Sequence, residues 1–408
     1  MTICHIFHYY TTIKTVALRS PAPLSNSYAY LVIIKRFKFL SEIVMRVFML
    51  LYIFVIVAFA ERFETGCEWL FVNDAVWLRD EVVFFGKCDH KAWIGRYSTK
   101  DGKAVETKSF LRPKCESAEF KRAARLADGR IVAVGVEICD QEGFVRISGT
   151  EPIVEEICDK NGIAVMAFFD KNGVTWRRWQ KKGWSGFYDI KPVGKKLYIG
   201  GQLDGAAIIM ELKDKEEKLY KFKKGTMCEA LDIDTDKIVC VGRKENVFLD
   251  PESPGKFWIG GVNRGELWEY IFPTYGGYLL AVTKYKKSYV AIGAIQRRDV
   301  FDVLPLAVKW RGRADKDEMW LSTPAKREHG TGTDIAVWRD RIYLSGWIGD
   351  FCGVVWRYED GAFKKILAKE RGEILKRLLI GPHGRLYALG TSRCGKKECV
   401  LFEKVSDE

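Results

Sequence analysis

The most unusual run of side chains that could do chemistry alternates tryptophan with cations. Residues 176–184 read Trp-Arg-Arg-Trp-Gln-Lys-Lys-Gly-Trp. Interleaved rings and cations can stack on bases or sugars while the charges hold phosphate or sulfate groups. On a strand, however, alternate residues point to opposite faces, so Trp176 and Trp179 would not form one platform. We therefore interpret this run as packing against a neighbouring element, with ligand binding as the alternative.

Other reactive patterns are sparse. The chain contains no G-x-S-x-G, no H-E-x-x-H, no phosphate loop and no C-x-x-C-H. Asp232, Asp234 and Asp236 alternate as calcium ligands can, but a polar turn explains them better. Carboxylate pairs for sugar chemistry are abundant, yet their roles depend on separation in space. The sequence therefore assigns no catalytic residue, no metal and no cofactor.

An apolar run near the N-terminus predicts export. Residues 47–60 are fourteen apolar residues without a break. This length suits the core of a signal peptide, about 7 to 15 residues, better than a membrane-spanning helix of about 20. Met45-Arg46 supplies a short basic segment, and Ala58-Phe59-Ala60 matches a cleavage site. We expect a secreted or cell-surface domain.

These signals divide the chain into three parts. Residues 1–44 are interpreted as an extension upstream of the natural start, residues 45–60 as the signal peptide, and residues 61–408 as a single exported domain. The alternative is an uncleaved anchor, with cytoplasmic cations at Lys35, Arg36 and Lys38. Contact with a membrane is expected only in that case.

Export makes disulfides the natural interpretation of the cysteines. Eleven are present, and ten remain after Cys4 is removed with the leader. Cys394 and Cys399 bracket a four-residue turn, so they could face each other across a hairpin. Zinc is the competing interpretation of this pair, but none of the five histidines lies at ligand spacing from it.

Two further cysteine pairs are considered. Cys139 and Cys158 bracket a small hairpin at residues 144–156, and a bridge would close its base. Cys228 and Cys240 lie on adjacent predicted strands, but their register about the intervening turn is offset. We therefore predict disulfides at Cys139–Cys158 and Cys394–Cys399.

Composition indicates a large, basic, folded protein. The 408 residues are 48% hydrophobic and 13% aromatic, which excludes a disordered chain. The formal net charge is +13, and the first 60 residues contribute six Lys or Arg against one Glu. An excess spread in this way favours a soluble basic protein over specific nucleic-acid recognition. Six Asn and four Gln among many charges suggest a thermophilic source.

The elements that must position these residues are short strands, each closed by a glycine. The clearest copy is Lys196 to Gly201, followed by the turn at Asp204-Gly205 and a second apolar strand. Seven such strands recur at intervals of 42 to 65 residues, and they end at Gly86, Gly135, Gly200, Gly242, Gly293, Gly346 and Gly390.

This period and strand chemistry predict an all-β, seven-bladed β-propeller of four-stranded antiparallel blades. Most units contain a strand before the glycine-closed one and two after it. The last unit lacks a fourth strand, because the chain ends five residues after Glu403. We expect the N-terminal segment Glu68 to Val72 to pair with Glu398 to Glu403 and so complete the last blade.

From Glu61 to Glu408 the chain resembles secreted β-propeller repeat proteins, on the strands just described. Leu197 to Gly201 looks like the double-glycine strand of kelch blades, whereas the other six units lack the second glycine. The Trp-Asp dipeptides of WD40 blades are absent at the blade ends. The resemblance concerns the propeller architecture and no particular family.

The resemblance implies where a ligand would bind. Propellers commonly bind at the face formed by the loops between strands two and three and between blades. On that scheme the candidate residues are Asp89, His90, Asp204, Arg297, Arg298, Asp299, Trp347 and Asp350 in the first kind of loop, with Trp184 and His329 in the second.

Such a ring of carboxylates, guanidiniums and aromatic rings could bind a sugar or an acidic ligand. We therefore expect a non-catalytic binding or scaffold module for an extracellular polymer, peptide or partner protein. The alternative is an extracellular enzyme acting on glycans, with loop carboxylates as acid and base.

Overall fold

Antiparallel strands of eight or nine residues, joined by tight hairpin turns, form most of the structure. The structure is a computed structural model that describes residues 61–100, 103–113, 115–139, 161–170, 173–180, 183–214, 216–244, 255–296, 303–314, 319–325, 328–359 and 362–406. They belong to one unit, Ala60–Glu408. The predicted leader and the predicted hairpin at 144–156 lie outside the described residues. The predicted N-terminal boundary of the propeller is not tested by the structure. No helix among the described residues is long and apolar enough to cross a bilayer.

The described residues begin with a short strand, β1 (Glu61–Glu64), and then form three four-stranded sheets in order. Their strands are β2 (Leu70–Leu78), β3 (Glu81–Cys88), β4 (Lys91–Ser98) and β5 (Lys103–Phe110); β6 (Cys115–Arg125), β7 (Ile131–Cys139), β8 (Asn161–Asp170) and β9 (Gly173–Trp179); β10 (Gly186–Val193), β11 (Lys196–Leu203), β12 (Ala206–Lys213) and β13 (Glu216–Lys224). The predicted hairpin around Asp204-Gly205 is thus β11–β12.

The remaining strands form one seven-stranded sheet and two further four-stranded sheets. They are β14 (Thr226–Asp234), β15 (Lys237–Lys244), β16 (Lys256–Asn263), β17 (Glu266–Tyr285), β18 (Ser288–Gln296), β19 (Val303–Arg311) and β20 (Trp320–Ser322); β21 (Gly330–Trp338), β22 (Arg341–Ile348), β23 (Cys352–Glu359) and β24 (Ala362–Ala368); β25 (Ile374–Ile380), β26 (Leu386–Cys394) and β27 (Lys397–Lys404), completed by β1. A 3₁₀ turn, Pro382–Gly384, joins β25 to β26.

The fold is a β-propeller, as predicted, but the predicted seven four-stranded blades are corrected to five, which stand beside one seven-stranded sheet. The units closed by Gly242 and Gly293 share the seven-stranded sheet. The reason is that β17 continues for 20 residues, pairing with β16 through its first part and with β18 through its second. No break in hydrogen bonding therefore separates the two predicted units.

The closing strand is also different from the predicted one. Glu61–Glu64 pairs antiparallel with β27, with Phe63 opposite Val400, and this completes the last sheet. The predicted segment, Glu68 to Val72, instead leads into β2, which pairs with β3 in the first sheet. The ring of Phe63 lies 3.7 Å from that of Tyr97, so β1 also contacts the first sheet.

The recurring glycines are explained by a bulge in the first strand of each unit. In β2, for example, Val72 lies opposite Gly86 and Asp74 opposite Phe85, which leaves Asn73 as an extra residue. A Cβ on Gly86 would overlap the carbonyl oxygen of Phe71, because the bulge pushes that oxygen against the glycine. In the third sheet this position is Gly201 rather than the predicted Gly200.

Four disulfides are present among the described cysteines: Cys67–Cys88, Cys115–Cys139, Cys228–Cys240 and Cys394–Cys399. The last confirms the prediction. The predicted Cys139–Cys158 bridge is wrong, because β6 begins early enough to place Cys115 opposite Cys139. Cys228 and Cys240 are joined although their registers differ, since a bulge follows Cys228.

Candidate binding face and channel mouth

The predicted binding face is built by one backbone contact that recurs in three sheets. The turn between the second and third strands donates an N–H to the residue that leads into the first strand. These bonds run from Asp89 to the Trp69 carbonyl (2.7 Å), from Gly205 to Trp184 (3.0 Å) and from Gly349 to His329 (2.9 Å). Each acceptor carries an aromatic ring, so rings are placed at equivalent positions around the face.

Asp89 and His90 occupy the turn of the first sheet. Asp89 Oδ1 accepts the backbone N–H groups of Glu68 (3.1 Å) and Trp69 (3.0 Å), so this carboxylate fixes the entry to β2. The His90 carbonyl accepts the N–H of Ala118 in the next sheet (2.9 Å). Both candidates therefore position their neighbours, and the ring of His90 lies on the exposed surface.

Asp204 and Trp184 meet in the third sheet. Asp204 Oδ2 lies 3.6 Å from the Nζ atoms of both Lys221 and Lys224. The indole Nε1 of Trp184 donates to the Tyr188 hydroxyl (2.8 Å), and Trp184 is partly buried. The structure brings these two candidates together at one turn, with the indole held by Tyr188.

His329, Trp347 and Asp350 meet at the turn of the sheet containing β21–β24. The rings of His329 and Trp347 are 5.9 Å apart, and Trp347 lies 4.8 Å from Phe351, a residue that the sequence analysis did not select. Asp350 is exposed and lies 3.5 Å from Arg371. Arg297, Arg298 and Asp299 lie outside the described residues.

Three exposed rings distinguish this face. Among the described residues, the large hydrophobic side chains that are strongly exposed include only three aromatic ones: Trp69 (58%), Phe71 (42%) and Phe351 (52%). All three lie at the end of the propeller where these turns meet. We call Trp69, Phe71, Trp347 and Phe351 the aromatic rim. Sequence reasoning missed three of the four, having assigned Trp69 and Phe71 to a closing strand.

Phe351 adopts a costly backbone conformation. Its φ is +60°, in the left-handed region that glycine or asparagine usually occupies. A bulky aromatic residue with this φ is an outlier, and such strain concentrates at functional sites. Ten other described non-glycine residues also have a positive φ, but none of them is a Phe, Tyr or Trp.

Inside the propeller, the bulges place two consecutive side chains of each first strand toward the central channel. The second of each pair forms what we call the inner ring: Asp74, Arg122, Asp189, Asp334 and Arg377, with Ala230 and Ala281 completing it. Each aspartate accepts a backbone N–H from the following unit: Ala123 to Asp74 (2.9 Å), Leu231 to Asp189 (2.9 Å) and Leu378 to Asp334 (2.8 Å).

Arginines cross-link this inner ring. Arg377 donates to Asp74 (2.9 Å) and to Asp334 (2.7 Å), one from each neighbouring sheet. Burial lowers the pKa of Arg377, but Asp334, Asp74 and Asp189 outweigh it and raise that pKa above its ordinary value. These carboxylates are therefore occupied in joining sheets. Beyond them, Lys191 and Thr283 help to line a chamber of about 330 Å³.

On the rim side of the inner ring, the bulged residues and their partners form a connected group that we call the channel mouth: Asn73, Glu119, Lys121, Tyr188, Glu229, Arg243 and Lys376. Glu119 accepts from Asn73 (2.6 Å) and pairs with Lys121 (2.7 Å), while Glu229 pairs with Arg243 (3.5 Å). Burial raises the pKa of Glu119, but Lys121 and Asn73 outweigh it, so this pKa lies below its usual value.

The tryptophan and cation run does pack internally. Trp176 stacks on Phe120 (5.6 Å between ring centroids), Trp179 lies 5.0 Å from Phe187, and Arg178 makes two hydrogen bonds to the buried Glu137 (2.9 and 3.1 Å). These side chains cover the second and third sheets, as the structural interpretation predicts.

The alternating aspartates serve a turn. Asp232 accepts the N–H of Lys284 (2.6 Å), and Asp234 forms an ion pair with the Lys284 ammonium. Among the described residues, one group of three His, Cys, Asp or Glu side chains has its potential metal-ligand atoms within 4.8 Å of one another: Cys115, Glu137 and Cys139. The two cysteines of this group form a disulfide with each other.

Two larger grooves, of about 450 and 800 Å³, open at the opposite end of the propeller. They lie between the first, second and third sheets, beside the turns that carry Asp128 and Asp170. Their central charges pair with each other, Arg130 with Asp128 at 2.6 Å. The exposed rings and the unusual charges lie at the other end.

Comparison with protein-family models and with curated proteins finds no match. Among solved structures, the chain is similar to Raptor from Chaetomium thermophilum, with a TM-score of 0.53 and 10% identity over 85% of this chain and 28% of Raptor. It is also similar to the polysaccharide lyase Uly1 (TM-score 0.47, 10% identity, 83% of this chain and 90% of that one).

The β-propeller domain of the Trilobed protease from Pyrococcus furiosus, which has an open velcro topology, gives a TM-score of 0.46 at 11% identity over 86% of this chain and 97% of that one. At such identities these likenesses concern the fold and indicate no shared substrate or partner.

Proposed function

We propose that this propeller is an exported, non-catalytic binding module that takes a carbohydrate polymer across the aromatic rim. The observation that carries the proposal is the exposure of Trp69, Phe71 and Phe351 at one end of the molecule. Exposed rings are costly in water and are typical of binding surfaces.

The arrangement of the rim favours a carbohydrate over a protein partner. Trp69 and Phe71 belong to the first sheet, whereas Trp347 and Phe351 lie two sheets away, with the last sheet between them. A protein interface needs a continuous apolar centre. A sugar ring can stack on a single aromatic side chain, so separated rings suit an extended chain of sugars.

Export is supported by the four disulfides, which persist in oxidising compartments. Binding rather than glycan cleavage is supported by the inner-ring carboxylates, whose oxygens already accept backbone or arginine donors. A glycosidase needs two carboxyl groups free to exchange protons with substrate and water.

The test uses Phe351→Gly and a matched variant, Lys286→Gly. Both residues have positive φ, +60° and +55°, so glycine relieves similar strain in each. Lys286 lies in the β17–β18 turn at the far end of the propeller. We expect Phe351→Gly to weaken carbohydrate binding about tenfold without loss of thermal stability, and Lys286→Gly to leave binding unchanged.

Binding would be measured on a glycan array and by titration calorimetry, with product analysis in parallel. Equal binding by both variants and the wild type would contradict the proposal. Shortened oligosaccharides in the product analysis would favour the enzymatic alternative. Binding restricted to peptides or proteins would replace carbohydrate as the ligand class.

A further inference from the structure

The channel mouth contains one charge that its surroundings leave unpaired. Lys376 is the extra residue in the bulge of β25, and it is partly buried. Within the part of the chain that the structure describes, its ammonium has no hydrogen bond and no ion pair. The other charges of the mouth do pair, Lys121 with Glu119 and Arg243 with Glu229.

The position of Lys376 shows that it faces the channel. Its electrostatic neighbours, Lys121, Glu119 and Arg122, all belong to β6, although β2 lies between β25 and β6 around the ring. Side chains from these two strands can influence each other only across the channel. Burial lowers the pKa of Lys376, Lys121 and Arg122 lower it further, and Glu119 offsets this only in part.

A second cation in this region is also incompletely satisfied. Arg122 is 9% exposed, and its Nε makes no hydrogen bond to the described residues. Its nearest carboxylate contacts, to Asp189 and Asp334, are 3.8 and 4.0 Å, too long for hydrogen bonds. Arg122 still donates to the Asn73 carbonyl (3.0 Å), so of these two cations only Lys376 has neither a hydrogen bond nor an ion pair among the described residues. Burying such a charge is costly without a counter-charge.

The carboxylates of the mouth limit which anion can enter. Glu119 and Glu229 would repel a densely charged polyanion such as a nucleic acid. They can, however, accept hydrogen bonds from hydroxyl groups, as Asn73 and Tyr188 also can. A ligand that carries one anionic group among several hydroxyls satisfies both the unpaired lysine and the acceptors. Acidic sugars have this combination.

We propose that the channel mouth is an anion subsite in which Lys376 binds the carboxylate of an acidic sugar residue. The inference rests on the proposed function, since the polymer that crosses the aromatic rim would present this residue to the mouth. It deepens that function by naming the ligand class as glycans that contain uronic acids.

The experiment titrates three soluble probes, trigalacturonate, galactotriose and triglutamate, into the wild type, Lys376→Met and Lys191→Met. Lys191 is a matched control because it too lies on a first strand and is partly buried, but it lines the chamber beyond the inner ring. We expect the wild type to prefer trigalacturonate to galactotriose by about tenfold or more, the usual worth of a charged hydrogen bond.

Lys376→Met should remove this preference without weakening galactotriose binding, and its melting temperature should be equal to or above that of the wild type. Lys191→Met should keep the preference. The inference is overturned if trigalacturonate fails to bind, if Lys376→Met keeps the preference, or if Lys191→Met loses it equally. Tighter binding of triglutamate than of trigalacturonate would overturn the carbohydrate assignment. In each of these cases, carbohydrate binding by Phe351→Gly and Lys286→Gly still tests the proposed function independently of Lys376.

Discussion

The inner ring and the channel mouth are adjacent layers of the same channel, yet they use the same kinds of side chain differently. In the inner ring, Arg377 donates to Asp74 and Asp334, and all three aspartates accept a backbone N–H from the following unit. In the mouth, one residue earlier on the same strand, Lys376 has no such partner among the described residues. The difference teaches that buried charge alone does not mark a functional site. What distinguishes the mouth is charge that the fold leaves uncompensated.

The largest expected effect comes from breaking the inner ring. Asp334→Ala removes the acceptor for the Leu378 N–H and one of the two carboxylates that hold Arg377. Breaking a buried ion pair from one side leaves the other charge unpaired, which costs about 3–5 kcal/mol of unfolding free energy. Urea unfolding would measure it. Asp350→Ala is the control, because its pair with Arg371 is exposed and should contribute under about 0.5 kcal/mol.

If Asp334→Ala and Asp350→Ala lowered the unfolding free energy by similar amounts, the inner ring would not be what holds the sheets together. Conversely, Asp334→Ala should leave carbohydrate affinity of the folded fraction within about twofold of the wild type, because Asp334 lies beyond the mouth.

The next effect concerns the bulge that creates both layers. A Cβ on Gly390 would overlap the Ile374 carbonyl oxygen, so Gly390→Ala must push back the bulge that carries Lys376 and Arg377. Overpacking of this kind costs about 1–3 kcal/mol. Thermal unfolding would measure it against Gly129→Ala, where no atom lies within 4 Å and only the positive φ is unfavourable. If Gly129→Ala were the more harmful change, close approach would not explain the recurring glycines.

These glycines show what could be predicted from the sequence. Seven apolar strands ending in glycine revealed the propeller, because the bulge that requires glycine recurs in every unit. The sequence does not indicate that β17 continues through residues 273–277, since proline and glycine, as at Pro273 and the two glycines after it, are uncommon inside strands. It also favoured Glu68 to Val72 as the closing strand, because four of those five side chains are apolar, whereas three of the four in Glu61–Glu64 are charged. The aromatic rim uses two of them instead.

The candidate site was predictable only in part. The turns that carry Asp89, Asp204 and Asp350 were located correctly, because hairpin turns have clear sequence signals. The inner ring and the mouth were not predicted. Their members are consecutive residues of one strand, and in a regular strand consecutive side chains point to opposite faces. A bulge places both Lys376 and Arg377 toward the channel, and simple alternation assigns only one of them there.

A smaller effect is expected from Glu119, the paired carboxylate of the mouth. Its pKa in the folded state lies below the ordinary value of 4.5, so the charged form stabilises the fold. This stabilisation is fully present above pH 4.5 and is lost as pH falls through the lowered pKa. We expect Glu119→Gln to cost about 1 kcal/mol at pH 7. The difference in unfolding free energy between Glu119→Gln and the wild type, measured by urea unfolding, should shrink on acidification. If this difference grew instead, the pKa of Glu119 would be raised rather than lowered by its surroundings.

The smallest effect has the opposite sign and separates the mouth from the inner ring most sharply. The pKa of Lys376 lies below its ordinary value of 10.5, because burial, Lys121 and Arg122 disfavour its charge and Glu119 offsets them only in part. The charged lysine therefore costs stability below its folded pKa, and the cost fades as pH rises toward 10.5.

Lys376→Met should gain about 0.5–1 kcal/mol at pH 7, a common size for single stabilising substitutions. The gain should decline as pH rises through the lowered pKa toward 10.5, as followed by urea unfolding at matched ionic strength. A loss of stability at neutral pH would mean that Lys376 is held as firmly as Arg377, and the two layers would then not differ. A gain accompanied by loss of acidic-sugar binding is expected of a residue kept for its ligand at the expense of the fold.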